Sequence, residues 1–133
     1  MSDMAPLVKT YEAEVPAAAA NASVSAQIRA EYAGTVTGVT YTPNAAITGA
    51  DTNSRSVNVV NHGQDGTGTT EAASIDFVNG TNAAAFDETA LTLSATAADL
   101  TVAAGDIIQV ASVAVGTGIA DPGGVAYVTI SRS

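Results

Sequence analysis

Residues 23–32 have the sequence SVSAQIRAEY, in which apolar and polar side chains alternate without a break. Successive side chains of a β-strand point to opposite faces, so this pattern predicts a strand with one buried face and one wet face. The buried face would be formed by Val24, Ala26, Ile28, Ala30 and Tyr32. No helical spacing of apolar residues appears elsewhere in the chain, so the strand is taken as the basic unit of the fold.

Toward the C-terminus, further short apolar segments predict strands at residues 36–42, 56–60, 73–78, 90–94, 107–115 and 125–131. The apolar parity of the first of these changes across Gly38, which predicts a β-bulge there. Turns rich in Gly, Asn, Asp and Thr separate the segments, and the small polar residues after Asn79-Gly80 favour a longer loop there over a two-residue hairpin. About seven to eight short strands with such turns indicate an all-β fold. We expect a single jelly-roll-like antiparallel β-sandwich.

Toward the N-terminus the alternation is weaker. Pro16 and the four alanines at positions 17–20 separate the first residues from the clear strands. We therefore predict an extended N-terminal arm and linker at residues 1–22 and the sandwich domain at residues 23–133. Leu7, Val8 and Tyr11 are the candidate interface residues of this arm, because an extended segment can add a strand to a neighbouring subunit.

Composition limits both the core and the partners. Only 5% of the 133 residues are aromatic and the chain has no Trp, so a core of Ala and Val buries modest area for each residue. We infer that identical copies associate, as a dimer or a trimer, and contribute to stability. The net charge is −9, and the four cations Lys9, Arg29, Arg55 and Arg132 lie far apart. Because nucleic-acid binding depends on neutralising phosphates, we expect neither a nucleic-acid partner nor an anionic membrane as a partner.

The first residues lack a basic leader and an apolar stretch, so we predict no signal peptide. No run approaches the roughly 18 apolar residues that a membrane span needs. The absence of Cys excludes a disulfide scaffold, a thiolate metal site and a Cys nucleophile.

Groups suited to chemistry are scarce. His62 lies in the loop sequence Asn61-His62-Gly63, without the context of a catalytic nucleophile, and we interpret it as a surface loop residue. Asp51-Thr52-Asn53 begins like a calcium loop, but Arg55 stands where an oxygen ligand is needed. Calcium held by Asp65, Asp76 or Asp87 remains an alternative to solvated turn carboxylates. We expect no catalytic residues, no bound metal and no cofactor.

Arg55 follows a polar loop and leads into the predicted strand that carries Val57 and Val59. We expect its guanidinium to tie that loop down as a structural anchor. The alternative is an exposed side chain.

Several segments of the chain resemble sequences of a known protein family. They are Tyr32-Ala33-Gly34-Thr35-Val36-Thr37-Gly38-Val39-Thr40-Tyr41-Thr42-Pro43, Val59-Val60-Asn61-His62-Gly63, Val102-Ala103-Ala104-Gly105-Asp106-Ile107-Ile108 and Gly116-Thr117-Gly118-Ile119-Ala120-Asp121-Pro122-Gly123-Gly124. Because of these segments, roughly residues 23–133 of the chain resemble the small β-sandwich proteins that decorate and stabilise the heads of tailed bacteriophages, particularly those infecting actinobacteria. Residues 1–22 match no fixed pattern of that family.

The resemblance implies a non-enzymatic capsid cement protein, made in the host cytoplasm and located on the outer surface of the virion. Its partner would be the major capsid protein, bound by a homo-oligomer at symmetry-related positions. One alternative is a phage fibre, tail or carbohydrate-binding sandwich, although a chain without Trp offers few aromatic rings for sugar stacking. Another is a hydrolase that uses His62, which we do not favour.

Overall fold

Two antiparallel β-sheets pack face to face in the computed structural model, which describes residues 7–133. The first sheet has the order β1-β10-β3-β6, with β8 also paired to β3, and its strands are β1 (Val8–Val15), β3 (Gly34–Pro43), β6 (Thr89–Ala90), β8 (Thr101–Val102) and β10 (Gly124–Arg132). The second sheet has the order β2-β9-β4-β5-β7, and its strands are β2 (Val24–Arg29), β4 (Ser54–Asn61), β5 (Thr70–Phe77), β7 (Thr92–Leu93) and β9 (Ile107–Val115). Within residues 7–133, no helix is long and apolar enough to cross a membrane.

The strand pairing is nested. β4 pairs with β5, β3 with β6 and β8, β2 with β9, and β1 with β10, all antiparallel. The chain therefore pairs with itself like one long hairpin whose strands are shared between two sheets. This is the pairing of a jelly roll, and it confirms the predicted fold class.

The stretch that predicted the fold forms β2 and the residues that follow it. Ile28 and Ala30 are buried, whereas Ser25, Gln27 and Arg29 on the other parity are exposed. The centre of the core comes from the inward parity of several strands, with Val36, Val39, Tyr41, Val57, Val59, Phe77, Ile108, Val110, Val128 and Ile130 almost fully buried. Packing of these two inner faces holds the sheets together.

The predicted bulge lies in β3. Thr129 pairs with Gly38, but the next residue, Ile130, pairs with Val36, so Thr37 has no residue opposite it on β10. This extra residue lets Val36 and Val39 both point inward although their parities differ. The pairing confirms the prediction.

Residues 8–15 are part of the sandwich rather than an arm. β1 pairs with β10 along its whole length, and Tyr11, Ala13 and Val15 are buried in the core. The predicted boundary between residues 1–22 and residues 23–133 is therefore corrected, and the linker is the segment between β1 and β2. The cause is that the inward parity of β1 begins with the charged, half-buried Lys9, while the apolar Val8 lies on the exposed parity, so the apolar buried face shows only from Tyr11 onward.

The segment predicted as one strand at residues 90–94 is divided between the sheets. β6 pairs with β3, and β7 pairs with β5 in the opposite sheet. The chain crosses at Leu91, which is buried and whose N–H donates to the Val39 carbonyl at 2.9 Å. Before it, the loop after β5 contains a turn in which the Thr81 N–H donates to Val78, so the longer connection expected after Asn79-Gly80 is present.

Candidate docking surface

His62 closes a loop. Its Nδ1 lies 2.8 Å from the Gly68 carbonyl oxygen, and its Nε2 lies 2.8 Å from Oε1 of Gln109. A carbonyl oxygen can only accept, so Nδ1 donates to Gly68. The Gly68 N–H in turn donates to the His62 carbonyl at 2.9 Å. Both ring nitrogens therefore fasten the half-buried residue to its own chain, and neither is directed at a nucleophile.

Three carboxylates near the candidate calcium positions accept hydrogen bonds from the chain itself, Asp65 within its loop, Asp76 between two paired strands and Asp51 between two loops. Asp65 accepts hydrogen bonds from the hydroxyl and the backbone N–H of Thr67, which hold the pKa of Asp65 below its ordinary value. Asp76 accepts from the Ser56 hydroxyl at 2.8 Å, and Asp51 accepts from the Asn79 N–H at 3.2 Å. In the part of the chain that the structure describes, no three His, Cys, Asp or Glu residues are grouped so that they could hold a metal ion.

Arg55 is fully buried, and backbone carbonyls surround its guanidinium. Nε donates to Ile119 at 2.7 Å, and Nη2 donates to Ala19, Ala20 and Ala22 at 3.1, 3.3 and 2.9 Å. The side chain thus joins the β1–β2 linker to the loop between β9 and β10. Arg55 is therefore a structural anchor, as expected, and the alternative of an exposed side chain is wrong. The segments that it holds are this linker and the β9–β10 loop, whereas the expectation named the polar loop just before it.

The charge of Arg55 is balanced through a relay. Nη1 donates to the Ser112 hydroxyl at 3.0 Å, and that hydroxyl donates to Asp121. Asp121 also accepts from the Tyr41 hydroxyl at 2.7 Å and from the Gly123 N–H at 2.9 Å. Burial, followed by the hydrogen bond to Asp121 and its negative charge, raises the pKa of Tyr41 far above its ordinary value, while the charge of Arg55 opposes this. The polar side chains of this network form their hydrogen bonds with other parts of the same chain.

The outer face of the first sheet differs from these internal networks, because it carries a groove that is open to solvent. A shallow groove of about 430 Å³ runs across it, lined by Thr10, Gly38, Thr40, Thr42, Phe86, Glu88, Tyr127 and Thr129. Together these residues form the groove face. Gly38 leaves the groove open, since a Cβ built there would meet no atom within 4 Å. The Thr40 hydroxyl is buried beside it and has no hydrogen-bond partner within residues 7–133.

Phe86 stands at the border of this groove. Its side chain is 75% exposed, and its backbone has φ = +59°, in the left-handed region. For a residue with a Cβ that conformation costs about 1–2 kcal/mol. Two backbone bonds hold it there: the Phe86 N–H donates to Pro43 at 2.8 Å, and the Asp87 N–H closes a turn to Ala84 at 3.3 Å. The chain therefore holds a large apolar ring in solvent on a fixed backbone.

The groove face is acidic. Glu12 and Glu14 are exposed and share the outward parity of Thr10, and Glu88 lines the groove itself. All four cations of the chain are placed elsewhere. Lys9 pairs with Glu31, Arg29 lies on β2 of the other sheet, Arg55 is buried, and Arg132 lies over the ring of Tyr32.

The three residues predicted for an interface have different environments. Leu7 and Val8 are exposed, at 74% and 53%, and Val8 shares the outward parity of Thr10. Tyr11 is buried, and its hydroxyl accepts a hydrogen bond from the Glu31 N–H at 2.9 Å. Tyr11 is therefore a core residue, which corrects its assignment to an interface. Phe86 was missed, because sequence alone does not distinguish an exposed ring in a loop from a core ring such as Phe77.

No protein-family profile matches this chain, and neither a curated protein nor a solved structure is found to be similar to it.

Proposed function

We propose that this chain is a head decoration protein of a tailed bacteriophage, which binds the outer surface of the capsid and stabilises it across subunit boundaries. The observation that carries the proposal is the groove face, a ready contact surface with an exposed aromatic ring on a rigid sandwich. The resemblance of residues 23–133 to decoration proteins supports it. So does the fold, because jelly rolls are common among viral capsid proteins.

The proposed mode of action is non-enzymatic. His62, Arg55 and Asp121 are hydrogen-bonded within the chain, so their polar atoms serve the fold. A decoration protein acts by many weak contacts, repeated by the symmetry of the shell, which together oppose the outward pressure of packaged DNA. The major capsid protein is the partner in this proposal, and the chain binds it as a homo-oligomer on the outside of the virion. The exposed Leu7 and Val8 extend the available contact area at the start of β1.

Electron microscopy of virions from the source phage, with and without this gene, tests the proposal. We expect extra density on the outside of wild-type heads, its loss in the deletion strain, and easier rupture of the bare heads on heating. Purified virions that contain none of this chain by mass spectrometry would refute the proposal.

A carbohydrate-binding module, as part of a fibre or tail, is the second candidate. It is favoured by one observation: Phe86 and Tyr127 line the same groove as Glu88 and several Thr hydroxyls, which suits stacking on a sugar ring and hydrogen bonding to its hydroxyls. A glycan array discriminates, since only this candidate predicts saturable binding to particular sugars.

A further inference from the structure

We infer that Phe86 is the anchor by which the groove face docks, and that it enters an apolar socket lined by basic side chains on the capsid protein. This inference rests on the proposed function and assigns the docking face, the anchoring residue and the chemistry of the partner surface.

Phe86 is an unfavourable residue for its position in the isolated chain. The left-handed backbone favours Gly or Asn, and solvent favours a polar side chain, yet the position has an aromatic ring. The backbone bonds to Pro43 and Ala84 hold the conformation, but nothing within the chain explains the aromatic ring, because three quarters of Phe86 is exposed to solvent. A partner that buries the ring removes the second cost.

The backbone of Phe86 is preorganised for binding. The Phe86 N–H is fixed on Pro43, which ends β3, so the ring is presented by the sheet rather than by a free loop. An anchor already held in its bound position loses little conformational entropy on binding. Binding hot spots are typically such aromatic side chains, surrounded by contacts that exclude water. The flat, Thr-rich surface beside the ring can supply those surrounding contacts.

Charge decides the kind of partner. Glu88 is part of the groove face, and Glu12 and Glu14 lie beside it on the outward parity of β1, whereas the four cations are placed elsewhere. A second copy of the chain would bring like charges together, which disfavours this face as the contact between copies. A complementary surface is basic, with an apolar pocket for the ring.

The test uses heads of the source phage from which this gene has been deleted, with the purified full chain added back. Phe86→Asn is the main variant, because Asn tolerates the left-handed backbone and lacks the ring. Phe86→Trp retains an aromatic anchor. Gly38→Tyr fills the groove without a Cβ clash. Val115→Asn is the matched control, since Val115 is also an exposed apolar residue but ends a strand of the other sheet.

We expect Phe86→Asn and Gly38→Tyr to weaken binding to the heads by at least about tenfold, the range of a hot-spot loss. Phe86→Trp and Val115→Asn should bind within about threefold of wild type, and all four variants should melt cooperatively by circular dichroism. If wild type binds and Phe86→Asn binds equally well, the inference is overturned while the proposed function stands. If wild type itself does not bind the bare heads, both are overturned.

Discussion

Arg55 is expected to contribute strongly to the stability of the fold, because a fully buried guanidinium must form all its hydrogen bonds inside the protein. We expect Arg55→Met to lower the free energy of unfolding by about 3–5 kcal/mol, since it leaves the carbonyls of Ala19, Ala22 and Ile119 unpaired and Asp121 uncompensated. Urea denaturation monitored by circular dichroism measures the change.

The matched control is Arg29→Met. Arg29 is exposed on β2, so its removal should change the unfolding free energy by no more than about 0.5 kcal/mol. Equal effects of the two substitutions would show that the buried hydrogen bonds of Arg55 do not stabilise the fold.

Tyr41 makes stability depend on alkaline pH. Its folded pKa lies above the ordinary value of 10.0, because burial and the Asp121 carboxylate oppose ionisation. A raised folded pKa gives stability that is fully present below the unfolded pKa and is lost as the pH rises above it. Tyr41→Phe should therefore be less stable than wild type at pH 8, where the hydrogen bond to Asp121 is intact. Above about pH 10 this difference should shrink by up to about 1.4 kcal/mol per pH unit.

Chemical denaturation of both proteins at pH 8 and pH 11 measures the difference. The measurement at pH 8 serves as the internal reference, because the tyrosine is neutral in both states there. A difference that is the same at both pH values would contradict the assigned role of Tyr41.

Sequence could place Arg55 but not its partners. An Arg between a polar loop and an apolar strand suggests an anchor, whereas its acceptors lie as far as 64 residues away, in a loop and in a linker with no pattern of their own. The buried relay through Ser112 and Asp121 is invisible for the same reason. Periodicity reports which face a residue is on, and it does not report what lies opposite.

Two glycines of β3 provide a comparison within one strand. A Cβ at Gly34 would lie 2.3 Å from the Ser131 carbonyl oxygen on β10 and 2.8 Å from the Ile130 side chain, whereas a Cβ at Gly38 meets open space. We expect Gly34→Ala to destabilise by about 1–3 kcal/mol through overpacking. Gly38→Ala should be neutral or stabilising by up to about 1 kcal/mol, because Ala restricts the unfolded chain more than Gly.

Thermal unfolding of the two Ala variants and wild type is the measurement. The strand and the substitution are the same in both variants, so the comparison isolates local space. If Gly38→Ala were the more damaging change, the open groove at the bulge would be absent.

Elements with long clean alternation, such as β2 and β9, were predictable from sequence, as was the bulge in β3 from its change of parity. β1 was not recognised as part of the sandwich, because its partner β10 is more than a hundred residues later and only this pairing identifies the buried side of Tyr11 and Ala13. The division between β6 and β7 was also missed, since strands of two residues are too short to show a period.

The fold class of the protein could be predicted from the spacing of strands and turns in the sequence. The residues that share one surface of the folded protein could not be predicted in this way. Which strand lies beside which decides that Glu12, Glu88 and Phe86 share one side of the sandwich. These residues are 76 positions apart at the extremes, and no local motif joins them. The nested strand pairing of the jelly roll brings the residues of the groove face together. Composition alone showed only that the chain is acidic.

The negative charge beside the groove should speed association with a basic partner surface. The triple variant Glu12→Gln, Glu14→Gln and Glu88→Gln removes three negative charges from around the groove and leaves its shape unchanged. Because steering between complementary surfaces acts mainly on the association rate, we expect slower association with bare heads and a weaker dependence of that rate on salt. The unfolding free energy should stay close to that of wild type, since all three side chains are exposed.

Glu71→Gln is the control for a charge elsewhere, because Glu71 is exposed on β5 of the opposite sheet. It should leave both the association rate and its salt dependence nearly unchanged, because a single charge on the opposite sheet lies away from the contact surface. Association rates from light scattering at two or three salt concentrations make the comparison. If the triple variant associated as fast as wild type at low salt, the contact surface would lie away from the groove face, because a partner that meets these carboxylates must sense their loss.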